Sequence, residues 1–149
     1  YNEAFRSLAG RYPGRVFYCD RFNDELAHKI EAGCDIFLMP SRYEPCGLNQ
    51  MYSIKYGTIP VVRATGGLDD VIRDADRDPS GGNGFKFDKP RPDRFYGAIE
   101  RALKRFEDRR SWRALMKRAM SYDFSWERSA REYLRLYTDL ASAEDTPLA

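Results

Sequence analysis

The chain has 149 residues, of which 42% are apolar and 32% charged, with a net charge of +2. This suits one globular domain with a sizeable core, and the charge is too evenly balanced to suggest a nucleic-acid partner. No apolar run approaches the ~20 residues needed to cross a bilayer, so no membrane partner is expected either.

In chain order, Asn2 to Arg11 is helix-like, with Ala4, Phe5, Leu8 and Ala9 on one face, and Tyr12-Pro13-Gly14 breaks it. Val16-Phe17-Tyr18 reads as a short strand with Asp20-Arg21-Phe22 as a loop at its carboxyl end. Asn23 is an N-cap for a helix opened by Asp24 and Glu25, buried through Leu26, Ala27 and Ile30, and ended by Gly33. Ile36-Phe37-Leu38-Met39, stopped by Pro40, is wholly apolar, which predicts a strand buried on both faces. Ser41 to Leu48 is a polar, constrained loop at its carboxyl end, the edge where open parallel sheets collect ligands. Asn49 to Tyr56 is helical, with Gly57 as its C′ residue, and Thr58 to Val62 is a second strand. Thr65-Gly66-Gly67 makes a second tight loop before a helix opened by Leu68-Asp69-Asp70.

Arg73 to Gly84, rich in Asp, Gly, Pro and Ser, predicts an exposed, mobile loop. Phe85-Lys86-Phe87 is a short strand. Helices follow around Phe95 to Phe106, around Trp112 to Met120, and from Trp126 to Leu140 behind an N-cap-like Ser125. The aromatic stripe of the last helix is expected to be core, or an interface to absent parts of a longer protein. Ser142 to Ala149 is a polar tail. The alternation of helix and strand predicts an α/β fold, a parallel sheet flanked by helices, with trailing helices from about residue 93. One domain over 1–141 is expected, followed by the tail at 142–149.

Cys19, Cys34 and Cys46 stand far apart, and His28 is the only histidine. That is too little for a dedicated zinc site. His28 reads as a structural residue rather than a base. An odd cysteine count without a secretory pattern fits a cytoplasmic location, and a chain that opens on Tyr1 reads as a piece of something longer. Arg101 to Arg118 carries eight basic residues against Glu107 and Asp108, which suits a solvated helical face better than a polyanion patch.

Three strings carry a more specific message: Ser-Arg-Tyr-Glu-Pro-Cys-Gly-Leu at 41–48, Tyr-Gly-Thr-Ile-Pro-Val-Val-Arg at 56–63, and Thr-Gly-Gly-Leu at 65–68. Together, at this spacing, they closely resemble the bacterial glycogen synthase and plant starch synthase family, retaining glucosyltransferases of the GT-B architecture. The resemblance is strongest over Phe22 to Ile72. It implies the C-terminal, Rossmann-like half of such an enzyme, in which glucose passes from ADP-glucose to the non-reducing end of an α-1,4-glucan with retention and without a metal.

The residues carry this expectation to different degrees. Glu44, in a loop at a strand end, could accept sugar hydroxyls or stabilise positive charge at an anomeric carbon, or simply pair with Arg42. By resemblance it lies near the reaction centre, and it is the candidate catalytic carboxylate. Gly47 to Gln50 at a helix N-terminus offer free amides to an anion. By resemblance, Cys46, Gly47 and Leu48 hold the glucosyl group through the backbone, and Leu48 and Asn49 reach the distal phosphate. Many relatives carry threonine where this chain has Asn49. Phe22 matches a position where relatives set an aromatic against adenine, although a core phenylalanine would look the same. Thr65, Gly66 and Gly67 either approach the nucleotide phosphates or only make the turn, and in the family this loop faces the donor cleft. Tyr52 stands where other retaining GT-B enzymes often carry a second glutamate, eight positions after Glu44, and synthases of glycogen and starch depart from that pattern in the same way.

The resemblance also implies what else is needed: an arginine and a lysine for the diphosphate, and an N-terminal domain carrying most of the acceptor site. The chain alone is therefore expected to be an inactive half-site, whose partners are ADP-glucose and the glucan through the full-length enzyme. Two other readings stay open: half of another retaining GT-B transferase with a different donor, or a nucleotide-binding module without turnover.

Overall fold

The computed structural model describes residues 1–144. Two compact units divide the chain, one spanning Tyr1–Ile30 and the other running from Glu31 onward.

In the first unit, α1 (Asn2–Arg11) is followed by irregular chain, and α2 (Asp24–Gly33) begins behind Asn23. The Asn23 side chain accepts from the Leu26 amide at 2.9 Å, as its N-cap role requires. Val16 to Tyr18 is not a strand. A strand exists only when a neighbour takes up its backbone groups, and no ladder reaches this segment among the described residues. Side chains hold it instead: Phe5 stacks on Tyr18 with centroids 6.2 Å apart, and Arg6 pairs with Asp20 at 2.8 Å. Of the three apolar positions expected to bury α2, Leu26 is half-buried and Ala27 and Ile30 are exposed.

The second unit is built on a parallel sheet in the order β1 (Ile36–Met39), β2 (Ile59–Arg63), β3 (Phe85–Phe87). Ile36 lies opposite Ile59 and Val61 opposite Phe85. The connection from β1 to β2 is α3 (Asn49–Tyr56), and the short α4 (Gly67–Val71) follows β2. α3 stops at Gly57, whose φ of 89° is the left-handed conformation of a helix C-cap. The expectation that β1 is buried on both faces fails. It is an edge strand, and Leu38 is 45% exposed. β2 is the strand that fits the description, with Ile59, Val61 and Val62 fully buried.

α5 (Pro92–Glu107) starts with Pro92 in its first turn and packs on β3 and β2. Its buried face holds Ala98 and Ala102, one turn apart, so the helix approaches the sheet closely. Asp108 ends α5 and caps α6 (Arg109–Met120), accepting from the amides of Arg110 and Ser111. α6 closes the core with Trp112, Leu115 and Ala119, and Phe106 meets Trp112 edge to face at 5.2 Å.

The stretch from Arg73 to Gly84 is exposed at Arg73, Asp76, Arg77, Pro79 and Ser80, as expected of a loop, but its two ends are built into this core. Asp74 and Gly84 form a parallel bridge, and Asp74, Ala75, Asn83 and Gly84 are buried. Two of its polar residues, Asp74 and Asn83, face inward and find partners there. The Asn83 side chain accepts from the Arg73 amide and donates to the Val71 carbonyl. Asp74 accepts from the Lys86 amide at 2.7 Å and from the Arg101 guanidinium at 3.1 Å. Composition alone resembled a mobile loop because these side chains were counted as solvated.

α7 (Trp126–Glu144) starts where expected: Ser125 Oγ accepts from the Arg128 amide. Its stripe is not core, since Trp126, Tyr133, Leu134, Tyr137 and Leu140 are all exposed. The helix runs through Ser142 to Glu144, so the expected tail is helical at its start; residues 145–149 lie outside the described residues. No helix among the described residues is long and apolar enough to cross a membrane.

Candidate functional site

The loops that leave the carboxyl ends of β1 and β2 are joined backbone to backbone. The Gly67 amide donates to the carbonyls of Glu44 and Pro45, each at 3.2 Å. A Cβ on Gly66 would lie 2.0 Å from the Glu44 carbonyl oxygen, and one on Gly67 would lie 2.1 Å from that of Cys46. Gly66 also has a φ of 46°. Only residues without a Cβ allow this approach. Arg63, the last residue of β2, adds a second tie: its Nε donates to the Ser41 carbonyl at 2.7 Å and its guanidinium also reaches the Arg42 carbonyl.

Glu44 is thereby fixed through its backbone. Its half-buried side chain makes no hydrogen bond or ion pair among the described residues, so the alternative pairing with Arg42 is not formed. A carboxylate held in place by main-chain contacts, with its oxygens uncommitted, is available to a ligand.

α3 opens directly after this loop. Leu48 is its N-cap and offers no side-chain cap. The amides of Gly47, Leu48, Asn49 and Gln50 meet no acceptor among the described residues. These orphan donors, at the positive end of an eight-residue helix, favour an anion. Cys46 is exposed, and its thiol contacts only the Gly47 carbonyl at 3.6 Å.

The structure therefore brings together Glu44, Cys46, Gly47, Leu48, Asn49, Thr65, Gly66 and Gly67 around one pair of loops. Phe22 lies in the other unit, where its ring is 93% exposed and not part of a core. Tyr52 is 40% exposed on α3. His28 lies 3.9 Å from Asp24 on α2. Of the basic residues between Arg101 and Arg118, Arg101 and Arg105 are engaged by Asp74 and Asp76, and Arg118 donates to the Gly82 carbonyl. Arg109, Arg110, Arg113 and Lys117 form an exposed face.

Two side chains had no role in the sequence reading. Arg63 only ends an apolar strand, and nothing local marks it as the clamp of a loop twenty residues earlier. Gln50 carries a faint signal, because a glutamine in the first turn of a helix often reaches back to its start.

The pattern of the glycosyl transferases group 1 family matches residues 7–118. A glycogen synthase of Anaeromyxobacter sp. (strain Fw109-5) is 56% identical over 140 residues, covering 94% of this chain and 29% of the relative. A glycogen synthase of Kosmotoga olearia is 51% identical over 137 residues, covering 92% and 29%. Among solved structures, the catalytic domain of starch synthase IV from Arabidopsis thaliana, bound to ADP and acarbose, matches with a TM-score of 0.82 at 38% identity, covering 94% of this chain and 30% of that one. A sucrose-phosphate synthase from Thermosynechococcus elongatus shares the fold with a TM-score of 0.64 at 24% identity, covering 95% and 34%. The chain thus spans under a third of the length of the glycogen synthases it matches. It belongs to the glycosyl transferases group 1 family, and its parallel sheet with flanking helices is the Rossmann-like, C-terminal half of the GT-B architecture of glycogen and starch synthases.

Proposed function

We propose that this chain is the donor-binding part of a retaining glucosyltransferase that extends α-1,4-glucans from ADP-glucose. The observation that carries the reading is the junction of the β1 loop with α3, where an uncommitted carboxylate, Glu44, stands beside a run of unpaired amides from Gly47 to Gln50. The similarity to a starch synthase solved with ADP supports the adenine nucleotide.

Transfer with retention requires the bond from glucose to the ADP oxygen to weaken while negative charge gathers on the diphosphate. The amides at the head of α3 are donors fixed before the reaction, so they stabilise that charge without reorganising. Glu44 faces the sugar, where a carboxylate accepts hydroxyl protons in the ground state and steadies positive charge at the anomeric carbon as the bond breaks. Cys46 acts through its backbone, as do Gly47 and Leu48, and Asn49 adds a side chain near the distal phosphate. Thr65, Gly66 and Gly67 hold the β1 loop in place and border the same cleft. Phe22 supplies a face for adenine.

The rest of the enzyme supplies what this chain does not offer at that junction: cations for the diphosphate and an N-terminal domain that binds the glucan. The isolated chain accordingly binds donor weakly and does not turn over. No metal takes part in this scheme, and the enzyme works in the cytoplasm.

The test is an amide NMR titration of the chain with ADP, UDP and ADP-glucose. Shifts confined to Phe22, Glu44 to Gln50 and Thr65 to Gly67, larger with ADP than with UDP, are expected. A folded chain that responds equally to UDP, or at residues elsewhere, overturns the assignment of donor and site.

A further inference from the structure

Gln50 is completely buried in the first turn of α3. Its Nε2 donates to the Cys46 carbonyl at 3.1 Å and to the Gly47 carbonyl at 2.8 Å. Carbonyls only accept, so the nitrogen end of the amide must face them, and both of its protons are engaged. Its Oε1 is left buried and without a partner among the described residues.

We propose that Gln50 is the positioning residue of the donor loop, turning the amides of Gly47 and Leu48 outward toward the junction of the donor's sugar and diphosphate. The argument is one of peptide geometry. In a trans peptide the C=O of one residue and the N–H of the next point in opposite directions. No cis peptide occurs among the described residues. The Cys46 carbonyl shares its peptide with the Gly47 amide, and the Gly47 carbonyl shares its peptide with the Leu48 amide. Drawing both carbonyls inward onto Gln50 therefore aims both amides away from it. Gly47 at φ 73° is followed by Leu48 at φ −112°, ψ −34°, and a positive-φ residue next to a right-handed one is the kind of pair from which backbone anion sites are built. Neither amide meets an acceptor among the described residues. The orientation stands on this geometry alone, and the identity of the ligand rests on the donor-site reading above.

The test compares the wild-type chain with Gln50→Met, which keeps length and bulk but cannot donate. Two readouts are taken. The first is the ligand-free amide resonances of Gly47 and Leu48, which are expected to move in the variant while those of the sheet stay. The second is titration with ADP and with inorganic pyrophosphate, where the variant is expected to bind at least tenfold more weakly. A folded Gln50→Met chain with unmoved Gly47 and Leu48 resonances, or with wild-type affinity for both ligands, overturns the proposal. A wild-type chain indifferent to both ligands defeats the donor reading instead, and the ligand-free resonances still decide the orientation. Gln50→Glu is the second variant: once ionised it donates to neither carbonyl, so its ADP affinity relative to wild type should fall as the pH is raised. A ratio independent of pH counts against Gln50.

Discussion

The Gly67 amide sits 3.2 Å from the Glu44 carbonyl, joining the loop after β2 to the loop after β1. A Cβ at position 67 would lie 2.1 Å from the Cys46 carbonyl oxygen, and what it meets is backbone, which cannot swing aside. Gly67→Ala is therefore expected to destabilise the chain by about 1–3 kcal/mol, the usual cost of overpacking. It should also move the amide resonances of Glu44 to Gly47. Urea unfolding and an amide spectrum check both effects, and an unchanged midpoint would mean that the loops are not in contact.

Glu44→Gln separates chemistry from stability. Its side chain makes no hydrogen bond or ion pair among the described residues, so unfolding should stay within about 0.5 kcal/mol of wild type. In the parent-length enzyme, turnover should fall by about 10²-fold or more, as when a preorganised electrostatic group is removed. Equal loss of stability and turnover would place Glu44 among the structural residues.

Gly47 and Gln50 should behave as one unit. A Cβ on Gly47 would lie 2.5 Å from Gln50 Oε1, and the φ of 73° is itself unfavourable to any L residue. Gly47→Ala is expected to cost about 1–3 kcal/mol. Adding Gln50→Ala should remove the clash but not the backbone strain, so the double variant should be more stable than the sum of the two by about 0.5 kcal/mol or more. Strict additivity in a double-mutant cycle would show that the two residues do not meet.

Asp74 gives the second unit an acid-sensitive support. Burial pushes its carboxyl up, but the hydrogen bonds from Arg101 and from the Lys86 amide, with the guanidinium charge, outweigh it and hold the pKa below the ordinary value. A carboxylate with a lowered folded pKa contributes its full stability above its unfolded pKa, near 4, and loses it as the pH falls further. Stability should thus decline below about pH 4 in wild type, and Asp74→Asn should flatten that decline. At neutral pH the variant should lose about 2–3 kcal/mol, toward the lower end for a buried pair because Arg101 is 37% exposed. Thermal melts from pH 7 to pH 3 check both.

The strands, α3, α5 and the caps at Asn23, Gly57 and Ser125 were legible in the sequence because each rests on a local signal. β1 and Val16 to Tyr18 were misjudged for the opposite reason. Apolar residues mark the potential for a strand, whereas neighbours decide whether it forms and how deeply it sits. Arg73 to Gly84 shows the same limit for polar residues: Asp74 and Asn83 look solvated until partners from Lys86, Arg101 and Val71 are known. At the loop junction, the placement of Glu44 and Gly47 just ahead of α3 could be read from their motif. Arg63 and the loop-to-loop role of Gly66 and Gly67 could not, because their partners lie some twenty residues away in sequence.

The union of the two loops is asymmetric in what it demands of the genetic text. It requires the absence of a side chain at Gly66 and Gly67, yet from Glu44, Pro45 and Cys46 it uses only carbonyls. One loop thus serves as a fixed mould, and the other can exchange its side chains without disturbing the join. Such a division leaves the join indifferent to the side chains at Glu44, Pro45 and Cys46, so substitutions there can probe what the loop does without undoing how it is held.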